Sequence, residues 1–166
     1  NNVIKYDVHQ GKQTNIIHAD SLEYEKFYRE IKNIRLFHID GGHDVAQIIN
    51  DLEFANKVIN PSGVIVVDDY MNYDYPSVTE GIFLFLQKYP TIVPFFTAFN
   101  KIYFCRLSHF VWYMDEIEKF LQHMQSVTKN YPAGSYSKGS IGRYVLYSVN
   151  EYAILKELNF YREKNA

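Results

Sequence analysis

Three carboxylates and one imidazole stand where they could do chemistry. Asp40 directly follows the apolar run 34–39, and Asp68 and Asp69 directly follow the run 64–67. If both runs are parallel strands of one βαβ unit, both acidic groups emerge at the carboxyl edge of the sheet. Open α/β sheets bind their ligands at that edge. Neighbouring strands lie about 4.8 Å apart, so the three carboxylates can converge on one small volume. Carboxylates that close repel, which raises their pKa values and costs stability unless something compensates. A hard divalent cation such as Mg²⁺ or Mn²⁺ is the natural compensation. Asp40, Asp68 and Asp69 are therefore candidate metal ligands. The plainer alternative is structural, with Asp68 and Asp69 capping the next turn and Asp40 opening a loop.

Asp40 is followed by Gly41, Gly42 and His43. Two glycines permit a tight turn and close backbone approach to a ligand. His43 then lies on the same edge, where an imidazole suits general-base work near neutral pH. His38 lies inside the strand and is expected to be a packed core histidine. The segment 70–76, Tyr-Met-Asn-Tyr-Asp-Tyr-Pro, follows the acidic pair and is either an aromatic wall for an acceptor or a tyrosine-rich surface loop.

The elements that must position these residues are legible as periodicity. The runs 34–39 and 64–67 are nearly continuous and apolar, as parallel strands covered on both faces are. Residues 16–19 and 3–6 are weaker strand candidates. Between the strong strands, Val45, Ile48, Ile49, Leu52, Ala55 and Ile59 follow helical spacing, with Asp44 and Gln47 as a capping box and 60–63 as the stop. A second helix is expected over 77–88, capped by Ser77 and Glu80, with Val78, Ile82, Phe85 and Leu86 buried. Two β-rich runs, 91–98 and 101–106, joined at Phe99-Asn100, read as an antiparallel pair closing the sheet. Beyond 106, a long amphipathic helix is expected over 108–129, then a Gly/Ser-rich loop over 130–142 and a last helix over 149–163. The apolar face of the long helix, Phe110 to Met124, has two candidate coverings, the sheet or a second copy of the chain, and a homodimer is expected.

Composition narrows the classes. The chain has 166 residues, of which 47% are hydrophobic and 22% charged, enough for a sizeable core. A net charge of −2 supplies no bulk positive field for a nucleic acid or an anionic membrane. No apolar run approaches the roughly 18 residues of a membrane span, and the first residues are no secretory signal. A cytoplasmic protein is the expectation. Cys105, as the one cysteine, excludes an internal disulfide and a multi-Cys zinc site. Aromatic residues reach 17%, but the 15 tyrosines are spread along the whole chain, which favours core and surface over one pocket.

The stretch 38–43, the helix after it and the stretch 61–70 together resemble class I S-adenosylmethionine-dependent methyltransferases. They are most similar to the metal-dependent O-methyltransferase branch that includes catechol and macrolide-sugar enzymes. The resemblance implies a Rossmann-like α/β sheet, mostly parallel with a C-terminal antiparallel pair. It spans roughly 3–106, with 107–166 expected to be a helical extension outside the resemblance, a family-specific cap or a dimerisation arm. It implies S-adenosylmethionine as methyl donor and Mg²⁺ or Mn²⁺ held by Asp40, Asp68 and Asp69. It further implies His43 as the base, and Asp20 and Ser21 after the third strand as adenine contacts, with Asp40 and Gly41 beside them. The ribose-binding acid after the second strand corresponds at best to Asp7. The glycine-rich loop that holds the methionine part of the cofactor has no counterpart, so the chain looks like one lacking the N-terminal part of the fold.

The expected reaction is metal-assisted methyl transfer to a hydroxyl of a small molecule or sugar. A metal-dependent hydrolase is the first rival, disfavoured because no second histidine ligand lies near the carboxylates. A methyltransferase-like scaffold without catalysis is the other, favoured by the missing glycine loop.

Overall fold

A computed structural model describes residues 3–7, 13–17, 20–26, 29, 31–127 and 136–149, with backbone alone at 3–7, 13–17 and 127. The strand β3 (Ile34–Ile39), helix α1 (Val45–Val58) and strand β4 (Ile59–Val67) form the expected parallel βαβ unit. Asp44 caps α1 through its Oδ1, which accepts from the Gln47 backbone N–H at 3.0 Å. The 60–63 stretch, expected to end the helix, is drawn into β4 instead. There Ile34 pairs with Ile59 and Leu36 with Val64, so the intervening residues bulge out of the ladder. Gly63 makes that bulge sterically feasible, because a Cβ there would lie 2.6 Å from the Ile34 carbonyl oxygen.

Helix α2 (Pro76–Lys88) begins one residue earlier than expected, with Tyr75 at its N-cap and no side-chain capping bond. Pro76 explains the shift, since its fixed φ and missing N–H suit the first helical turn. Ser77 consequently sits inside the helix. Strands β5 (Ile92–Ala98) and β6 (Lys101–Arg106) form the expected antiparallel pair. Phe99 and Asn100 both have positive φ, 51° and 60°, matching the two-residue turn whose twist suits a hairpin.

The six-stranded sheet has the order β3-β4-β6-β5-β8-β7. It is mixed rather than mostly parallel: β3–β4 and β5–β8 are parallel, while β4–β6, β5–β6 and β7–β8 are antiparallel. The tight turn at 99–100 forces β6 back beside β4 in the opposite direction, which a helical crossover would not do. Strands β1 (Val3–Asp7) and β2 (Gln13–Ile17) pair antiparallel in a separate two-stranded sheet, not as parallel members of the main one.

A further departure lies beyond α3 (Phe110–Val127), which is preceded by a short 3-10 turn, Leu107–His109. Much of the expected Gly/Ser loop is strand: β7 (Tyr136–Ile141) and β8 (Tyr144–Val149) form a hairpin, and β8 joins the sheet beside β5. The alternation of Tyr144, Leu146 and Ser148 with Val145, Tyr147 and Val149 has strand period, which the glycines and serines upstream obscured. The remainder of the expected last helix, and 130–135 of the expected loop, lie outside the described residues.

Helices α1 and α2 cover one face of the sheet, burying Leu52, Ala55, Val78, Ile82 and Phe85 against Ile65, Val67, Ile102 and Phe104. Helix α3 covers the other, through Met114 and Leu121 against Val93, Phe95, Cys105 and Tyr147. The sheet thus covers the apolar stripe of α3. Strand β3 ends the row of described strands, and Leu36 on it is 63% exposed. Among the described residues no helix is long and apolar enough to cross a membrane.

Candidate functional site

Strands β3 and β4 deliver Asp40, Asp68 and Asp69 to one edge, as expected for parallel neighbours: the Asp68 N–H donates to the Ile39 carbonyl at 3.0 Å. The chain after β4 then turns sharply, with positive φ at Asp69 (56°) and Met71 (60°). Aspartate tolerates that region; methionine does so at a cost, a strain of the kind held at functional sites. The turn is pinned by the Tyr70 N–H to the Asn100 carbonyl at 3.0 Å and by the Met71 N–H to Thr79 Oγ1 at 3.1 Å.

Asp69 is the hub. Its Oδ2 lies 3.0 Å from His43 Nε2, and its Oδ1 accepts from Asn72 Nδ2 at 2.7 Å and Asn100 Nδ2 at 3.0 Å. The His43 ring stacks on Tyr75, centroids 3.8 Å apart and planes 11° from parallel. Two contacts, one in the ring plane and one on its face, therefore fix the imidazole. Of the segment 70–76, with its two readings as acceptor wall or surface loop, Tyr75 stacks on His43, Tyr70 is buried and Tyr73 is 90% exposed.

Asp68 is engaged differently. Its Oδ1 accepts from the Asp69 backbone N–H at 2.9 Å and its Oδ2 from the Lys101 ammonium. His38 is half-exposed at 3.8 Å from Asp68 Oδ2, not packed in the core as expected, because β3 is not covered at this position. Burial works to raise the Asp68 carboxyl, but the Lys101 and Asp69 donors outweigh it and hold the group below its ordinary value. Asp40 is exposed on the loop.

The donor set does not fit the expected Mg²⁺ or Mn²⁺ as arranged. All four oxygens of Asp68 and Asp69 already accept or face donors of this chain. Among the described residues, no group of three or more His, Cys, Asp or Glu side chains is placed to hold a metal ion. The convergence expected from strand spacing fails because spacing fixes where the chain leaves the sheet, not where each carboxylate finds its hydrogen bonds.

The residues expected at the adenine come together around Asp51, which no motif or spacing in the sequence singles out. Asp51 is 7% exposed on α1. Its Oδ1 is buried without a hydrogen-bond partner among the described residues, and a Cβ at Gly41 would lie 3.1 Å from its Oδ2, so the glycine admits the carboxylate beneath the loop. Asn50 Nδ2 donates to the Ser21 carbonyl at 2.7 Å, tying the two segments further. Asp20 caps the 3-10 helix Ser21–Lys26, its Oδ1 accepting from the Leu22 N–H at 2.9 Å. Asp7 is the last residue of β1, opposite Gln13.

Burial raises the Asp51 carboxyl above 3.8, with the Ser21 and Asn50 side chains working the other way. Below the unfolded value both states are protonated and the group costs nothing. As pH rises past 3.8 the unfolded chain ionises first, so stability falls and stays lowered at neutral pH. Asp51→Asn is expected to raise the thermal midpoint relative to the parent at about pH 7, with the gain fading by about pH 3. An equal gain at both pH values would show that the charge is not its cause.

A cavity of about 400 Å³ adjoins the hub, lined by Tyr70, Met71, Thr97 and Asn100 on one side and Ile141 and Leu146 of the hairpin on the other. Among the described residues, no charged side chain lines it. Cys105 is buried in the sheet with its thiol pushed up to about 12 by burial, so it is no nucleophile here.

Residues 4–70 match a methyltransferase domain family. The match supports a methyltransferase domain, and it ends on the turn that carries Asp68, Asp69 and Tyr70. The chain is also 31% identical, over 87 residues, to an uncharacterized protein of Acanthamoeba polyphaga mimivirus, covering 49% of this chain. It spans 38% of that relative's length.

Proposed function

We propose that the protein is an S-adenosylmethionine-dependent O-methyltransferase in which His43, held by Asp69, is the base. The observation that carries this reading is the His43–Asp69 pair at 3.0 Å at the carboxyl edge of the sheet. An ionised carboxylate can only accept, so the neutral imidazole carries its proton on Nε2 and keeps its lone pair on Nδ1. His43 Nδ1 would then take the proton of an acceptor hydroxyl as the oxygen bonds to the methyl carbon and that carbon's bond to sulfur breaks, with S-adenosylhomocysteine as the leaving group. Asp69 stabilises the imidazolium that results, and Asn72 and Asn100 keep Asp69 in place.

S-adenosylmethionine, when bound, supplies an electrophilic sulfonium methyl. Ser21 and Gly41, gathered around Asp51, are the residues of this chain that would hold its adenine, with Asp20 and Asp40 beside them; Asp7 is the remaining candidate, for the ribose. The cavity beside Asn100 suits an uncharged acceptor, a small molecule or sugar whose hydroxyl reaches His43. No step of this reading runs through a divalent ion.

Isothermal titration with S-adenosylhomocysteine tests the donor half. Saturable binding that Gly41→Val weakens is the expected result, because the added side chain crowds the approach over Asp51. A folded full-length protein that binds no S-adenosylhomocysteine would overturn the reading.

A further inference from the structure

We propose that Lys101 is a resident counter-ion for the acidic pair, filling with an ammonium the role that a divalent cation would otherwise take. The inference concerns charge balance at Asp68 and Asp69 and holds whatever reaction His43 serves.

The placement of Lys101 follows from register. In the antiparallel pair β4–β6, Val67 stands opposite Ile102, so the next step along both chains sets Asp68 opposite Lys101. Cross-strand neighbours of opposite charge attract at this spacing. The turn at 99–100 then fixes the start of β6: Lys101 pairs with Ala98, and the preceding Asn100 is bonded to the acidic turn by both its carbonyl and its side chain. The Lys101 side chain is 28% exposed and that of Asp68 20%, so the pair is partly withdrawn from water and less screened than a surface ion pair.

A divalent ion at this edge would face two obstacles. Mg²⁺ demands oxygen lone pairs at about 2.0–2.1 Å in near-octahedral geometry. Asp68 Oδ2 already faces the Lys101 ammonium, and the Asp69 oxygens already face His43, Asn72 and Asn100, so an arriving ion competes with these donors for lone pairs and approach. The arriving ion would also stand beside an ammonium of like charge. One lysine thus removes a ligand and repels the metal together. With Lys101 in place, one of the pair's two negative charges stays balanced whatever the free ion concentration, and Asp69 is left to bond His43.

Mn²⁺ titration followed by electron paramagnetic resonance tests the proposal on the whole chain. The wild-type protein and Lys101→Arg, which keeps the cation, are expected to show no saturable binding. Lys101→Ala is expected to show saturable Mn²⁺ binding, at least about tenfold tighter than the weakest affinity the titration detects, since ligand charge count sets affinity at such sites. Asp68→Asn in the Lys101→Ala background should abolish that gain. Saturable wild-type binding that Asp68→Asn removes would overturn the proposal. So would a Lys101→Ala protein with wild-type circular dichroism and no gain in binding. If Lys101→Ala fails to fold, Lys101→Met, which keeps the length of the side chain, takes its place with the same two outcomes. None of these readouts depends on methyl transfer, so a failure here is distinct from a failure of the function proposed above.

Discussion

Replacing His43 by Gln is expected to lower kcat for methyl transfer by about 10²- to 10⁴-fold, the range general-base catalysis contributes. The KM for the methyl donor should change little, because His43 lies against Asp69 and Tyr75 rather than among the residues gathered around Asp51. Asp69→Asn should act in the same direction through the tautomer. An amide can present its carbonyl or its N–H to Nε2, and the N–H would favour the proton on Nδ1 and take away the lone pair the acceptor needs. The distinguishing measurement is a pH–rate profile of both variants beside the parent. A low-pH limb, activity falling as the base is protonated, that survives in His43→Gln would assign the proton transfer to another group. Equal loss of binding and turnover would instead make His43 a structural residue of the 41–44 loop.

Phe85→Ala is expected to cost about 3–5 kcal/mol of folding stability, the range for truncating a buried aromatic side chain. Phe85 is fully buried on α2, in the cluster that joins α1, α2 and the sheet. Its ring also packs on Tyr89 with centroids 4.8 Å apart, and Tyr89 in turn donates to Glu53 on α1. Truncation therefore leaves a cavity and loosens the contact between the two helices. Denaturant unfolding reads the loss as a lower midpoint at unchanged slope. A cost below about 1 kcal/mol would mean that the surrounding side chains collapse into the space, which the dense packing of protein interiors makes unfavourable.

The βαβ unit was legible because its signals are local and mutually consistent. Apolar runs of strand length flank a helical stripe that begins at an Asp cap, and each signal is satisfied within a few residues of itself. The same holds for the 91–106 hairpin. The C-terminal hairpin was not legible, because β8 is stabilised by pairing with β5, some fifty residues earlier in the chain, while β7 is rich in glycine and serine. Its register depends on a partner that no local pattern announces. The same reason hid the mixed direction of the sheet, since parallel and antiparallel neighbours differ in connection rather than in composition.

At the site, sequence by itself determined which groups reach the edge: Asp40, Asp68 and Asp69 at strand ends, and His43 in the loop before α1. The family resemblance put Ser21 and Gly41 forward as expected cofactor contacts. Only the tertiary structure decided what those groups do to one another. It set Lys101 against Asp68, gave Asp69 to His43, Asn72 and Asn100, and placed buried Asp51 beneath Gly41. The physical reason is range. The position of a residue along a strand follows from its neighbours in the chain, whereas the partner of a carboxylate is chosen by whichever donor the rest of the fold brings within about 3 Å.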